Sequence, residues 1–475
     1  MRRLALLALG LLLAPRAVLA QDMNYSPFQA GGRSALMGGA VVGGVRDSSA
    51  VVYNPGALGF VRDTGVSVSG TAFQYGRLKA SDVFGPGRDA DADLVDVVPL
   101  LISGSLRLGD RATLGYGLAR RQQFSASFRG AVVTVADVGA PTPAGDETFI
   151  GQFDDTRKVE ETWGMLAVGW RVTDRLAVGV GPVLALRQEG RQQRLSTILE
   201  DATVTPPTNL SAFGIFFDAE FWQVSLMARL GAAWEPTDWL RVGATVTTPG
   251  LAVYGEGEEL AEVSVATSAA DGKVASFQEG LDTNHRNPFR ASVGAEVDVA
   301  PRWRVGISLE YVDRLERRPV IETDLGADFF QGTPQFIRDS AGLQILDERR
   351  WVLNGAIGVE YRVDARWTVY GGFWTDFSPV DIDDAKEMGN REDIGNPVSG
   401  VSIDVYHASF GVTRRTADRI LAVGLTGAYG SGRVSSGLDF VSPEGVLNNG
   451  RLGQEFERRM SYFDFGLLLS FSQFF

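Results

Sequence analysis

MSYFDFGLLLSFSQFF, Met460–Phe475, decides the fold. It carries five Phe and three consecutive Leu, where chain ends are ordinarily polar and frayed. Taken by alternate residues, Phe463, Phe465, Leu467, Leu469, Phe471 and Phe475 fall on one face. Tyr462, Asp464, Gly466, Ser470 and Ser472 fall on the other. Side chains of a strand alternate between its faces, so this is a strand with one greasy and one small, polar side. Its length exceeds the roughly 5–6 residues of an average soluble strand and matches the roughly 9–11 of a tilted strand crossing a bilayer. Gln473 interrupts the greasy face with Phe474 beside it on the other, which predicts either a register shift there or a slightly weakened terminal signal.

The same grammar recurs upstream. Leu100, Ile102, Leu106 and Leu108 alternate with Ser103, Ser105 and Arg107, a Gly109–Arg111 turn follows, and Leu114, Tyr116 and Leu118 alternate with Gly115, Gly117 and Ala119. Later hairpins share a signature, as in WRVTDRLAVGVG (Trp170–Gly181), VAPRWRVGISLEY (Val299–Tyr311) and YRVDARWTVYGGF (Tyr361–Phe373). Each is a strand end, a tight polar turn, then Arg, Trp or Leu entering an alternating run. Trp and Tyr cluster beside the turns, where an aromatic girdle would meet a membrane interface. A first strand near Gly65–Arg77, six tight hairpins and the terminal strand give fourteen strands. Tight turns alternate with seven long connections, among them Gly130–Glu160, Gln188–Glu220, Pro249–Pro288 and Asp313–Arg349. An even count and alternating loop lengths predict an all-β fold: a 14-stranded antiparallel transmembrane β-barrel with a plug in its lumen. A soluble propeller or sandwich would show shorter strands and no such alternation.

The beginning of the chain fits that class. Arg2 and Arg3 precede an apolar run, Leu4–Ala14, and AVLA (Ala17–Ala20) offers small residues before Gln21. This reads as a secretory signal peptide over 1–20, too short to span a bilayer. With it removed the chain has 42 basic and 58 acidic residues, a net charge of −16, which disfavours nucleic acid. There is no Cys and only His285 and His407, so disulfides, thiolate sites and a His-rich metal centre are not expected, nor is any cofactor.

Residues 21–62 precede the first strand and are small and apolar, with Gly31, Gly32, Gly38, Gly39, Gly43 and Gly44 among Ala and Val. Left in solvent they would be an aggregation hazard. Folded into a fourteen-stranded lumen they form a plug, or hatch, with 63–475 as the barrel. Two stretches here, GGRSALMGGA and RDSSAVVYNPGAL, carry a resemblance. They are similar to the opening and to the Asn-Pro hatch motif of FadL-like long-chain fatty-acid outer-membrane transporters, with Gly56 where that family usually has Ala. The resemblance implies a bacterial outer-membrane monomer whose hatch is constricted at Asn54, Pro55 and Gly56. It implies passive uptake of hydrophobic compounds such as fatty acids or aromatic hydrocarbons, released through a gap in the wall. Asn suits such a turn by bonding backbone amides, and Pro stiffens it. The resemblance also implies that the terminal Phe475 is read by the barrel-assembly machinery. An alternative keeps the barrel and makes it a shuttle factor in protein secretion.

Candidate ligand contacts follow. NLSAFGIFFDAEFW (Asn209–Trp222) places Phe213, Ile215, Phe216 and Phe217 in an expected outer loop, where apolar residues mark capture of cargo or packing at the mouth. Asp328-Phe329-Phe330 is a weaker version. Alternation turns Arg107, Arg171, Arg229, Arg241, Arg304 and Arg362 inward with Glu296, Glu310 and Glu360, predicting an Arg–Glu lattice between wall and hatch. Arg229 and Arg187 are the candidates for a carboxylate head group, which a forked guanidinium suits. His407 and Ser409 share a strand face as in outer-membrane phospholipases, but this register turns both to the lumen and supplies no orienting acid, so no enzyme is expected. Asp89, Asp91 and Asp93 lack the Gly and distal Glu of a calcium loop.

Overall fold

The computed structural model describes residues 24–81, 89–136, 147–201, 208–267, 271–323, 346–380, 401–434 and 458–475. The expected signal peptide, Asp328–Phe330 and Asp381–Asp384, an acidic run that the sequence reads as a solvated loop, lie outside them. The strands are β1 (Gly65–Ala80), β2 (Ala90–Arg107), β3 (Ala112–Ala136), β4 (Glu147–Arg171), β5 (Leu176–Asp201), β6 (Thr208–Trp234), β7 (Leu240–Thr247), β8 (Leu251–Thr267) and β9 (Asp271–Leu281). They continue as β10 (Arg290–Ala300), β11 (Trp303–Val312), β12 (Leu315–Pro319), β13 (Leu346–Arg349), β14 (Val352–Arg362), β15 (Trp367–Asp376), β16 (Val401–Arg415), β17 (Arg419–Val434) and β18 (Arg458–Phe474).

Fourteen strands close into an antiparallel ring: β5–β4–β3–β2–β1–β18–β17–β16–β15–β14–β11–β10–β7–β6, returned to β5 by the β5–β6 ladder. The C-terminal strand joins β17 and β1 along its whole length, so its backbone groups are paired, as hydrocarbon requires. Phe463, Phe465, Leu469 and Phe471 point outward while Tyr462, Asp464, Leu468 and Ser470 are buried inside. Gln473 causes no register shift: Val66 pairs with Gln473, and the one irregularity in this ladder is at Thr71/Phe73. Its amide instead ties down the neighbouring turn, donating to the Asp418 carbonyl (3.2 Å) and accepting from Arg419 (3.0 Å).

The outward face is an apolar belt with an aromatic rim at each end. Trp170, Trp234, Trp239, Trp303 and Trp367 stand exposed beside the tight turns, and Tyr254, Trp351, Tyr406 and Tyr429 stand exposed toward the long connections. That belt is solvated by lipid, with the rims at the two interfaces.

The strands run further than their apolar alternation suggested. The expected loop Gln188–Glu220 is mostly sheet: β5 reaches Asp201 and β6 begins at Thr208, in register throughout. Gly130–Glu160, Pro249–Pro288 and Asp313–Arg349 likewise contain strand. Beyond the membrane both faces of a strand can be polar, so the period-2 signal fades while the backbone ladder continues. Asp89, Asp91 and Asp93 are part of this correction: Asp91 and Asp93 lie in β2, and the three face Lys79 (2.7 Å), Arg77 (2.9 Å) and Tyr75 (3.1 Å) at the β1–β2 hairpin.

Candidate functional site

Residues 24–64 thread the lumen, with short helices at Gly32–Leu36 and Ala50–Tyr53 and a 3-10 turn at Pro55–Phe60. They lie on a girdle of wall glycines. Gly169 faces Gly179, Gly179 faces Gly231, Gly243 faces Gly294, Gly306 faces Gly358, Gly358 faces Gly372, and Gly411 faces Gly424 across successive ladders. A Cβ on Gly169 would stand 2.5 Å from the Gly59 nitrogen, and one on Gly358 2.5 Å from the Met37 carbonyl oxygen. On Gly179, Gly243 and Gly306 it would strike the carbonyl oxygens of Pro55, Val42 and Ala40. Glycine inside a strand marks close backbone approach, and here the hatch backbone rests directly on the wall backbone. This girdle is the feature that sequence reasoning missed. Its signal was present as glycines on the inward face of strand after strand, but they read as small lumen residues until the hatch was placed against them.

Polar contacts complete the seat. Asn54 is fully buried; its Nδ2 donates to the Val42 and Ala232 carbonyls (2.9 Å each) and its Oδ1 accepts from the Gly56 amide (3.0 Å). The Asn-Pro-Gly stretch is therefore both an internal turn and a tie to β6. Thr245 donates to the Tyr53 carbonyl (2.9 Å) and Ser409 to that of Leu36 (3.0 Å). Burial holds the Tyr53 phenol well above its ordinary pKa, so it remains a donor to Ala30 or Gln29. The expected lattice is centred on Arg33, whose guanidinium meets Glu296 (3.0 Å) and Glu360 (2.8 Å). Burial alone would lower the Arg33 pKa, but the two carboxylates outweigh it and hold it raised. Arg304 and Arg241 continue the network through Asp298 (2.6 and 3.1 Å), and Arg46 pairs with Glu235.

Above the hatch, Arg121, Arg229, Ser26, Tyr53, Ser308 and Glu310 help to line a cavity of about 70 Å³. The two candidate arginines separate here. Arg187 is committed to its neighbours: Glu161 (3.3 Å), Glu189 (2.8 Å) and Gln122 (3.0 Å). Arg229 has a buried Nε with no hydrogen-bond partner. The candidate aromatic residues are brought into β6, not into a loop. Phe217 is fully buried on the inner face and Phe216 lies under the Arg194 guanidinium (5.1 Å). The backbones of Phe213 and Ile215 pair with Thr197 and Leu195, their side chains lying outside the described set.

Among the described residues the wall is interrupted at two places. The β2–β3 ladder runs only from Arg107↔Thr113 to Leu101↔Ala119. Beyond it β2 continues with β1 to Ala90, and β3 continues with β4 to Ala136, so the two hairpins part. A bulge marks the point: Arg120 pairs with Thr162 and Gln122 with Glu161, leaving Arg121 as the extra residue. The second break separates β7 from β8 and β9 from β10. There the chain turns inward and is stitched: Gln223 exchanges two hydrogen bonds with the His285 backbone (2.7 and 2.9 Å), and Asn287 donates to Glu161 (3.1 Å).

His407 and Ser409 do face inward and are buried. His407 stacks on Trp374 (4.6 Å between ring centroids), while the Ser409 hydroxyl is engaged by the hatch. That is a packing arrangement, with the hydroxyl proton already donated to a carbonyl.

No family model and no curated protein matches the chain. Solved structures do. A FadL homologue of Pseudomonas aeruginosa is 14% identical over 95% of this chain and 99% of its own, with a TM-score of 0.58. The toluene transporter TodX of Pseudomonas putida is 14% identical, covers 95% and 99%, and has a TM-score of 0.52. The toluene transporter TbuX of Ralstonia pickettii is 15% identical, covers 94% and 98%, and also has a TM-score of 0.52. The chain has the FadL-type fold. At such identities the FadL-type likeness is one of architecture, covering nearly the whole of both chains.

Proposed function

We propose that this protein is a bacterial outer-membrane channel for passive uptake of hydrophobic compounds such as long-chain fatty acids or aromatic hydrocarbons, a reading supported by its likeness to the toluene transporters TodX and TbuX. The observation that carries the reading is the parting of β2 and β3 above Leu101↔Ala119 over a lumen filled by the hatch. A plugged barrel is no general aqueous pore, and an apolar solute that has entered can leave sideways into lipid where the wall ladder ends. Phe217 and Phe221, buried on the inner face of β6, offer it an apolar track, and Phe213, Ile215 and Phe216 share that strand. Arg229 is the ligand-facing arginine of the pair with Arg187, and Asn54, Pro55 and Gly56 hold the hatch shut.

The test is uptake of a long-chain fatty acid and of an alkyl aromatic by a strain lacking the gene, with and without the plasmid-borne copy. Loss of uptake, restored by the copy, is expected. Joining Leu100→Cys to Arg120→Cys with a short thiol cross-linker should close the gap and cut uptake several-fold, reversed by reduction of a cleavable linker. Normal uptake in the deletion strain with defective secretion would replace the channel reading by the shuttle one.

The terminal residue belongs to the same proposal. Phe475 is 82% exposed, and its amide donates to the Thr64 carbonyl (2.9 Å). Exposure leaves the ring free for the assembly machinery. Deleting Phe475 should lower the amount of folded barrel in the membrane several-fold, scored as the heat-modifiable band on a gel; an unchanged yield would make the residue only the end of a strand.

A further inference from the structure

The six tight turns, 107–111, 171–175, 235–241, 298–304, 362–366 and 414–419, hold twelve arginines, no lysine and seven carboxylate side chains. That is a net +5, in a chain that carries −16 without its first twenty residues. The end with the long connections is therefore acidic and the turn end basic. Short turns mark the periplasmic end of such a barrel, so the basic end meets the inner leaflet of the outer membrane.

Three of these turns adjoin. The Arg362 amide donates to the Arg302 carbonyl (2.9 Å) and the Arg415 amide to the Arg366 carbonyl (2.8 Å), so 298–304, 362–366 and 414–419 form one arc. The carboxylates of the arc are engaged close by. Asp298 meets Arg304 (2.6 Å) and Arg241 (3.1 Å), and Asp364 accepts from the amides of Arg366 and Trp367 (2.7 and 2.8 Å). Asp418 takes Arg419 and the Gln473 side chain (3.3 Å each). Arg302, Arg366 and Arg414 are exposed and meet no carboxylate among the described residues. Aromatic rings separate them. The Trp303 and Tyr361 rings lie 4.6 Å apart between the first two turns, and the Arg414 guanidinium stands over the Trp367 ring (5.7 Å) between the second and third. Alternation along β16 buries His407 and Ser409 inside and turns Phe410 and Arg414 to the lipid side. An aromatic rim marks headgroup depth, so these guanidiniums stand among lipid head groups.

Like charges on adjoining turns repel, and the arc has no free carboxylate to offset them. A phosphate does so well: the guanidinium fork matches its oxygens and stacks on an indole at the same time. A basic side chain at this depth favours anionic lipid by roughly fivefold. A zwitterionic lipid brings its own cation beside the phosphate, which cancels most of that gain.

We propose that Arg302, Arg366 and Arg414, with Trp303, Tyr361 and Trp367, form a docking surface for the phosphate head group of an anionic glycerophospholipid of the periplasmic leaflet. The lipid neutralises the arc and fixes the depth of the barrel along the β10–β17 side. The surface lies outside the wall, away from the lumen and from the parting of β2 and β3, so it stands whatever the channel carries.

The test is quenching of tryptophan fluorescence in phosphatidylcholine vesicles that hold the purified barrel and a rising fraction of a brominated lipid. Brominated phosphatidylglycerol should reach half of its full quenching at about a third of the mole fraction that brominated phosphatidylcholine needs. Arg366→Gln combined with Arg414→Gln should abolish that preference, with folding checked by the heat shift on a gel. Arg129→Gln is the control, since Arg129 is an exposed arginine of the opposite end, paired with Asp154 (2.9 Å), and should keep the preference. Equal quenching by the two lipids in the wild-type protein would overturn the lipid site and leave the arc to an acidic periplasmic protein. A folded double variant that still prefers the anionic lipid would overturn it too. Loss of the preference in Arg129→Gln would reveal a general charge effect and overturn the assignment to the arc. Should the double variant fail to fold, Arg302→Gln takes its place under the same outcomes.

Discussion

Gly179→Val is expected to expel the hatch without dissolving the barrel. A Cβ at this position would strike the Pro55 carbonyl oxygen and stand 2.4 Å from the Pro55 carbonyl carbon and 2.7 Å from the Gly56 nitrogen. These are backbone atoms, and they belong to a stretch held by Asn54 at both of its polar atoms. Overpacking a core commonly costs about 1–3 kcal/mol because side chains shift aside; here no side chain is present to shift. The wall has alternatives the hatch lacks, since β5 is laddered to β6 along its full length and to β4 on both sides of Gly181-Pro182. The strain therefore falls on the hatch. Conductance in planar bilayers should rise from closed to open, and protease should reach the chain after Arg33 or Arg46. Gly164→Val is the control, because its nearest outside atom lies 3.8 Å away on the neighbouring strand. A closed, protease-resistant Gly179→Val barrel would show that the hatch does not rest on the glycine girdle.

Glu296→Gln should have the next largest effect. Glu296 is fully buried and receives hydrogen bonds from both Nη atoms of Arg33 (3.0 Å each), with Arg304 at 3.8 Å. The isosteric amide keeps the volume and removes the charge. Arg33 then retains only Glu360 while Arg304 and Arg241 stay close. Removing one partner of a buried ion pair costs about 3–5 kcal/mol, because the other charge is left uncompensated. That loss falls between hatch and wall, so the barrel should still show its heat shift while the hatch becomes protease-sensitive. Arg33→Met combined with Glu296→Met should recover much of the protection, since deleting both partners leaves no orphan charge. Equal protease resistance in Glu296→Gln and the wild-type protein would mean that the glycine girdle alone holds the hatch.

Both effects concern a contact that no local pattern reveals. The inward face of Gly115 and Gly117 was legible, as was that of Arg229 and Glu296, because a strand that meets lipid on one side must turn its charges to the other. Asn54-Pro55-Gly56 was legible as a turn. The reach of β5 and β6 was not. Past the aromatic rim water solvates either face, so Arg191 and Gln192 carry no periodic signal although the ladder continues through both. Phe216 and Phe217 were misread as loop for that reason.

The amino-acid sequence by itself determined that fourteen strands cross a membrane, which residues face the lipid, and that a small-residue segment lies ahead of them. Each follows from a period of two imposed by the solvent on either side of a sheet. Only the tertiary structure decided which lumen residues meet. Arg121 and Arg229 are far apart in the chain and line one cavity because barrel closure sets the register of each strand. One extra residue in β3 then changes the face of every side chain beyond it, and a shift of that kind depends on the partner strand, which local sequence does not contain.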